Sequence, residues 1–452
     1  MTATVAGSSR FPVARGAVRC HYPAVALTLL AIGATLSGVS FEVAGRNIRI
    51  DQVAAILLAL QLTGEVLMAR RGLYLDAATY WLAAYFAVAL LASQWAPDPR
   101  NSTLQTFNLA TMAALYPLLT NFLGSDAAIE RFWRTFIRAG TLAIVLGLLL
   151  FFGGLLGLAS RYIEFSASIG YGAAGTMREA NIFGSFAALF LVIGIALMAL
   201  PGLAATSHRR TPVMTLLFVA GAGLIFSFTR ASWVAVMLVL LPALVSLRRP
   251  VRTKVVLGFV GVIAIVVAVA ATPLVPDEYL KYKVMNLVNF DDGTGAGRLQ
   301  IWAAAFDEVQ QRPWLGWGTY SFGDMHRTGM QTSAELAWIG NFALTVLHDS
   351  GVIGTLLFGI FLAVTVRGGL RDAKRLWKPA PDAAVRLVGL CYGVLALLVA
   401  FLATTGFSFA YPWIALGLVG AHRRRARAML RPGVEAPGLG RQSTALSKGR
   451  YS

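Results

Sequence analysis

Cysteine and charge are what this chain has least of. Its 452 residues include two cysteines, Cys20 near the N-terminus and Cys391 inside an apolar run. That usage supports neither a disulfide framework nor a thiolate metal site. Charged residues make up 13% of the chain, about half of what a soluble domain carries. Acidic residues are scarcer still, 21 against 39 basic. No His-Glu-x-x-His pair, nucleophile elbow or Cys/His ligand spacing occurs, so metal and serine-type chemistry lack support and no cofactor is expected. No internal repeat of fixed period is present either.

What fills the chain instead is apolar: 57% of residues, with a mean hydropathy of +0.66. Apolar runs long enough to span a bilayer recur along its length. They predict an all-α membrane protein of about twelve transmembrane helices, over 24–41, 50–68, 77–95, 104–123, 136–157, 180–200, 212–228, 231–247, 254–274, 339–366, 386–405 and 407–421. The resulting organisation is an N-terminal tail (1–23), nine spans (24–274), a large polar loop (275–338), three spans (339–421) and a basic, disordered C-terminal tail (422–452). The first apolar stretch follows a basic start without a small-residue cleavage pattern, so it reads as a retained span.

Lysine and arginine set the orientation. Most of them fall at Arg70 and Arg71, 131–138, Arg209 and Arg210, 248–254, 367–378 and 423–427, all on one side of the expected topology. Both termini are therefore expected in the cytoplasm, and the 275–338 loop outside. The formal charge of +18 is this topology signal, with an affinity for anionic lipid, rather than a nucleic-acid footprint.

The polar loop is where ionisable groups gather on the outer side. Leu299, Trp302, Phe306 and Val309 recur at helical spacing, with Asp307, Glu308, Gln310 and Gln311 on the other face. They predict an amphipathic helix along the membrane surface or the bundle mouth, ended by Arg312-Pro313. Three arginines stand apart from the topology charge: Arg178 opening the sixth span, Arg230 between two apolar spans, and Arg298 after the Gly293–Gly297 turn. An arginine held between apolar spans is costly unless partnered, and a guanidinium fork suits phosphate oxygens. A phosphate or diphosphate site is one reading; snorkelling, or pairing with Glu179, Asp291 or Asp292, is the other. Candidate bases are Glu335, His326 and His348, with Asp291, Asp292, Glu308 and Asp349 as further outer-side carboxylates.

Several motifs occur in a telling order: Arg178-Glu-Ala-Asn181 followed by Gly184, Ser227-Phe-Thr-Arg230, Gly297-Arg298 followed by Trp302, Pro313 with Gly316 and Gly318, and Asn341 through Gly354. In this order they resemble the O-antigen ligase and Wzy-type polymerase superfamily of bacterial membrane glycosyltransferases, over most of residues 50–420. The resemblance implies a GT-C-like helical fold in the bacterial plasma membrane. It also implies an undecaprenyl-diphosphate-linked glycan donor held by Arg178, Arg230 and Arg298, a glycan or lipid-linked acceptor, and inverting transfer without a metal. Other polysaccharide export or assembly proteins are candidate partners.

One departure stands out. The family's ligases carry His-Asn where this chain has Gly340-Asn341, and that histidine is their favoured base. The expectation is therefore a polymerase of surface-polysaccharide repeat units, with an O-antigen ligase acting on lipid A-core as the alternative. A transporter or flippase fits the span count but not the placement of ionisable residues at the outer rim. A catalytically inactive scaffold is a further alternative.

Overall fold

A computed structural model describes residues 22–36, 39–43, 46–155, 164–166, 170–177, 179–200, 203, 207–246, 294–326 and 338–430. Its helices run α1 (Tyr22–Gly33), α2 (Ile50–Leu67), α3 (Ala77–Ser93), α4 (Pro99–Ala113), α5 (Leu115–Phe122), α6 (Asp126–Leu155) and α7 (Ala180–Leu197). They continue with α8 (Ser207–Phe226), α9 (Arg230–Ser246), α10 (Thr294–Gln311), α11 (Ser321–His326), α12 (Phe342–Leu376), α13 (Pro381–Ala400) and α14 (Ala410–Met429). Two short antiparallel hairpins depart from the all-α expectation: β1 (Ser40–Val43) with β2 (Arg46–Arg49), and β3 (Glu164–Ser166) with β4 (Gly170–Gly172).

Five described helices are long and apolar enough to cross a membrane: Ile50–Leu67, Asp126–Gly154, Ala180–Leu197, Phe342–Leu376 and Pro381–Ala403. Shorter apolar helices cover Ala24–Leu36, Ala77–Ser93, Arg210–Phe226 and Arg230–Leu241. Two expected spans are interrupted. The run 24–41 leaves its helix at Gly33, and the run 104–123 breaks at Ala114 into α4 and α5. Pro117 accounts for the second break, because it has no N–H for the carbonyl four residues back and its ring crowds that turn. The expected span 254–274 lies outside the described residues, as do 1–21 and 431–452; the C-terminal tail expected to be disordered from 422 is instead helical as far as Met429, because α14 runs on past the apolar stretch.

The core forms around α7. That helix is small or apolar on every face, from Gly184 and Ser185 through Ala187 and Ala188 to Gly194. It therefore sits inside the bundle, with 83% of its apolar window buried, against α8, α9 and α13. Beside it, α12 packs on α3, α13 and α14 through interlocked rings. Phe358 lies 5.5 Å from Phe407 and 5.7 Å from Phe361, and Phe407 lies 5.1 Å from Trp413.

The two ends of the bundle differ in chemistry. One gathers the basic segments, tied down by Arg71–Glu65 at 3.1 Å, Arg425–Asp126 at 2.6 Å, Arg386–Glu130, and a guanidinium N–H of Arg424 donating to the Thr120 carbonyl at 2.8 Å. At the other end α10 and α11 meet the first part of α12 and the α3–α4 junction. There Arg312 donates to the Trp95 carbonyl at 2.7 Å, the Asn101 amide donates to both oxygens of Asp324 at 3.0 and 2.9 Å, and Arg49 donates to the Ser408 carbonyl at 2.8 Å.

The link between α10 and the bundle runs through a break in α12. Gly351 sits at φ +64°, so the ladder of helical hydrogen bonds stops there. The segment after α10 supplies the missing partners. Trp317 and Gly318 donate N–H to the carbonyls of His348 and Asp349, both at 2.9 Å, while Val352 donates to the Pro313 carbonyl at 2.8 Å. Broken bonds on both sides of the break are thus remade against the 313–318 segment, the condition for irregular backbone at membrane depth. Contact this close needs glycine. A Cβ on Gly351 would lie 2.3 Å from the Trp314 carbonyl, and one on Gly316 (φ +71°) would lie 2.4 Å from that of His348.

Candidate functional site

Two polar clusters lie along α10, separated by the length of its last three turns. The first surrounds Glu179, the residue before α7. Its carboxylate accepts from the Asn181 amide at 2.9 Å and from the Thr404 hydroxyl at 3.5 Å. Arg298 of α10 and Arg230 at the start of α9 complete the group. Burial pushes the Glu179 carboxyl above its ordinary value, opposed by the Asn181 bond and by the Arg298 charge. Burial lowers Arg298; Glu179 works against that, and the like charge of Arg230 adds to it.

The placement of Arg230 follows from a tight turn. Ser227, Phe228 and Thr229 join α8 to α9 with Phe228 at φ +52°, and the Thr229 hydroxyl donates to the Ala180 carbonyl at 3.0 Å. Gly184 leaves the room for this, because a Cβ there would meet the Ser227 hydroxyl at 2.6 Å. The turn therefore sits on the first turn of α7, next to Glu179. Arg298 thus feels one carboxylate and one like charge among the described residues, in a half-buried place. An anionic oxygen is the complement such a site asks for.

The second cluster is centred on Glu308, near the end of α10. His326 Nε2 lies 2.7 Å from one of its oxygens and His348 Nε2 lies 2.8 Å from the other. The Nδ1 of His348 lies 3.2 Å from Asp349, whose second oxygen accepts the Tyr320 N–H at 3.1 Å. Each of these ring nitrogens faces a carboxylate oxygen that can accept an N–H from it. The side chain of His326 is 27% exposed, whereas that of His348 is fully buried. Burial alone would raise Glu308, but hydrogen bonds from His348 and His326, and their charge, bring it below the ordinary value.

These contacts revise several expectations. Glu308 faces inward rather than lying on the solvated side of α10. The apolar stripe is split: Val309 is buried, while Leu299 and Phe306 are more than half exposed. Buried Ala305 is the reason, since its small side chain lets Phe322 and Ile339 close on the helix, joined by the Trp302 indole donating to the Ile339 carbonyl at 2.9 Å. Helix α10 begins at Thr294, so Gly295 and Gly297 belong to its first turn instead of a preceding loop. Arg230 and Arg298 come together; His326 and His348 come together at the other cluster. Arg178, Glu335, Asp291 and Asp292 lie outside the described residues. Glu179 was foreseen only as a partner for an arginine and Asn181 only as part of a motif; Thr404 carried no signal, because a neutral hydrogen-bonding residue looks the same in sequence whatever it faces.

The segment that would hold the family's histidine runs beside the first cluster. The Trp338 indole donates to the Thr405 hydroxyl at 2.8 Å, next to the Thr404 that reaches Glu179. Asn341 caps α12, accepting the Leu344 N–H at 3.1 Å. Gly340 has φ +64°, and a Cβ there would meet nothing closer than the Trp338 carbonyl at 4.0 Å. Residues 215–359, which carry Arg230, Arg298, the glycine-lined crossing and both histidines, match the family model described as O-Antigen ligase. The match supports the O-antigen ligase and Wzy superfamily for this chain. With the apolar helices, it supports an integral membrane enzyme of the O-antigen ligase or polymerase type. No curated protein matches the chain.

Proposed function

We propose that the protein polymerises undecaprenyl-diphosphate-linked repeat units of a surface polysaccharide at the outer face of the plasma membrane, with both termini in the cytoplasm. The observation that carries this is the meeting of Arg230 and Arg298 around half-buried Glu179, with Arg178 one residue away in sequence. The three arginines bind the diphosphate of the donor. A hydroxyl of the acceptor unit attacks the anomeric carbon; a new C–O bond forms as the bond to the diphosphate breaks, and its electron pair leaves with the polyprenyl diphosphate. Fixed guanidiniums stabilise that developing charge without a metal.

The hydroxyl proton needs an acceptor. His326 fits the role: Glu308 orients it, His348 holds Glu308, and Asp349 holds His348 in turn. The relay lies about 15 Å along α10 from Arg298, a distance to be filled by the guanidinium, the diphosphate and the donor sugar. Glu335 is the other candidate base.

A strain lacking the gene tests the reading. Polymerase loss leaves single repeat units on the lipid carrier. Long chains accumulating undelivered on that carrier instead assign the O-antigen ligase reaction on lipid A-core, the reading that the family's description favours and Gly340 disfavours. Unaltered glycans contradict both.

A further inference from the structure

The loop from α2 to α3, at the basic end of the bundle, carries exposed apolar side chains beside arginines. The chain leaves α2 through Ala69, whose φ of +52° turns it back. The N–H groups of Arg70 and Arg71 then both donate to the Glu65 carbonyl, at 2.9 and 3.2 Å. Leu67, Met68 and Leu73 are left 80%, 63% and 48% exposed. Tyr74 anchors the loop: its N–H donates to the Asn121 side-chain oxygen and its carbonyl accepts from the Asn121 amide, both at 2.9 Å.

Three guanidiniums gather around this anchor. Arg424 of α14 lies over the Tyr74 ring, 4.5 Å from its centroid, and Arg427 donates to the Tyr74 hydroxyl at 3.4 Å. Arg71 stacks on Phe122 at 5.1 Å, near enough for its charge to act on Arg424. Each commits one nitrogen to the protein: Arg71 to Glu65, Arg424 to the Thr120 and Asn121 carbonyls, Arg427 to Tyr74. Their other guanidinium nitrogens make no hydrogen bond to the described residues, and none of them is shut away from the surface.

The local charge selects an anion. Arg70, Arg71, Arg424 and Arg427 stand against Glu65 and Asp76, while neighbouring Arg423 and Arg425 are paired with Asp372 and Asp126. Neither Glu65 nor Asp76 is open to an ammonium group. Glu65 is held by Arg71 and the Gln61 amide; Asp76 is buried and accepts from Thr79 and the Tyr116 hydroxyl. Planar guanidiniums suit phosphate oxygens. A free phosphate would leave Leu67, Met68 and Leu73 in water, whereas a phosphodiester carrying acyl chains covers both kinds of surface.

We propose that the α2–α3 loop and the end of α14 form a binding site for an anionic phospholipid. Its phosphodiester lies on Arg71, Arg424 and Arg427, and its acyl chains run along Leu67, Met68 and Leu73. The site is at the opposite end from Glu179 and does not depend on the reaction proposed there.

Native mass spectrometry of the full chain in detergent tests this, with phosphatidylglycerol and phosphatidylcholine of identical acyl chains. Phosphatidylglycerol is expected to be retained at least about tenfold better. Arg424→Gln and Arg427→Gln should each lower its retention about fivefold, the scale of one arginine at a membrane surface. Arg375→Gln, at an exposed position on α12, should leave it unchanged. Arg427 is exposed, so its variant keeps the fold and decides alone if Arg424→Gln does not. Equal retention of the two lipids overturns the proposal. So does an equal loss with Arg375→Gln, which would make the preference a property of the whole basic end. Displacement of phosphatidylglycerol by millimolar inorganic phosphate would assign the arginines to a free anion and overturn it as well.

Discussion

Glu308 is the residue on which α10, α11 and α12 meet, and its protonation has a calculable consequence. Its folded-state pKa lies below the ordinary glutamate value of 4.5. The folded protein therefore binds the proton less readily than the unfolded chain, and the stabilisation is fully present above that range. It is lost as pH falls through the lowered value. The thermal midpoint in detergent should drop on acidification below about pH 4.5, and Glu308→Gln should show a smaller drop from a lower starting point. A steeper drop in the variant would contradict the relay. Two glycines give a second test. Gly351 and Gly340 share φ +64°, but only Gly351 has a carbonyl 2.3 Å from its Cβ position. Gly340→Ala should cost about 1–2 kcal/mol of backbone strain. Gly351→Ala should cost clearly more, as read by thermal unfolding. Equal losses would mean that the crossing of Pro313–Gly318 over α12 is looser than described.

Among the elements, α10 shows best what the sequence conveys and what it hides. Its existence, its end at Gln311 and its two-faced character are legible from spacing and from Arg312-Pro313. Which face turns inward is not. Small, buried Ala305 admits Phe322 and Ile339, whereas bulkier Leu299 and Phe306 are left outside. Hydrophobicity alone ranks these residues the opposite way. The same limit applies to the pairing of His326, Glu308 and His348, which are far apart in sequence and meet only because α12 breaks at Gly351. The break itself left a trace in the glycines at 316, 318 and 351, but a trace without a partner. Outward Leu299 and Phe306 also make a prediction: spin labels at these positions in reconstituted protein should be relaxed by lipid-soluble oxygen, and one at exposed Asp307 by a water-soluble nickel chelate. Preference for the chelate at all three would place this face of α10 in water.

Taken as a whole, the molecule separates its charges by end. Arginines at the basic end are tied to carbonyls and carboxylates, while Arg230 and Arg298 lie at the opposite end beside the half-buried carboxylate of Glu179. The apolar ladder and the clustering of basic segments are legible in composition, because length and charge bias act without regard to neighbours. The interruptions in the ladder are less so, since Ala114 and Gly33 break helices through local backbone chemistry that a hydropathy run averages away. The reaction depends on the end that holds Arg298. Purified protein given a polyprenyl-diphosphate-linked glycan should release polyprenyl diphosphate. Arg298→Ala should lower that release by about 10²-fold or more, the scale of losing one fixed donor to a developing anion. Release by Arg298→Ala at the unmodified rate would contradict the diphosphate site.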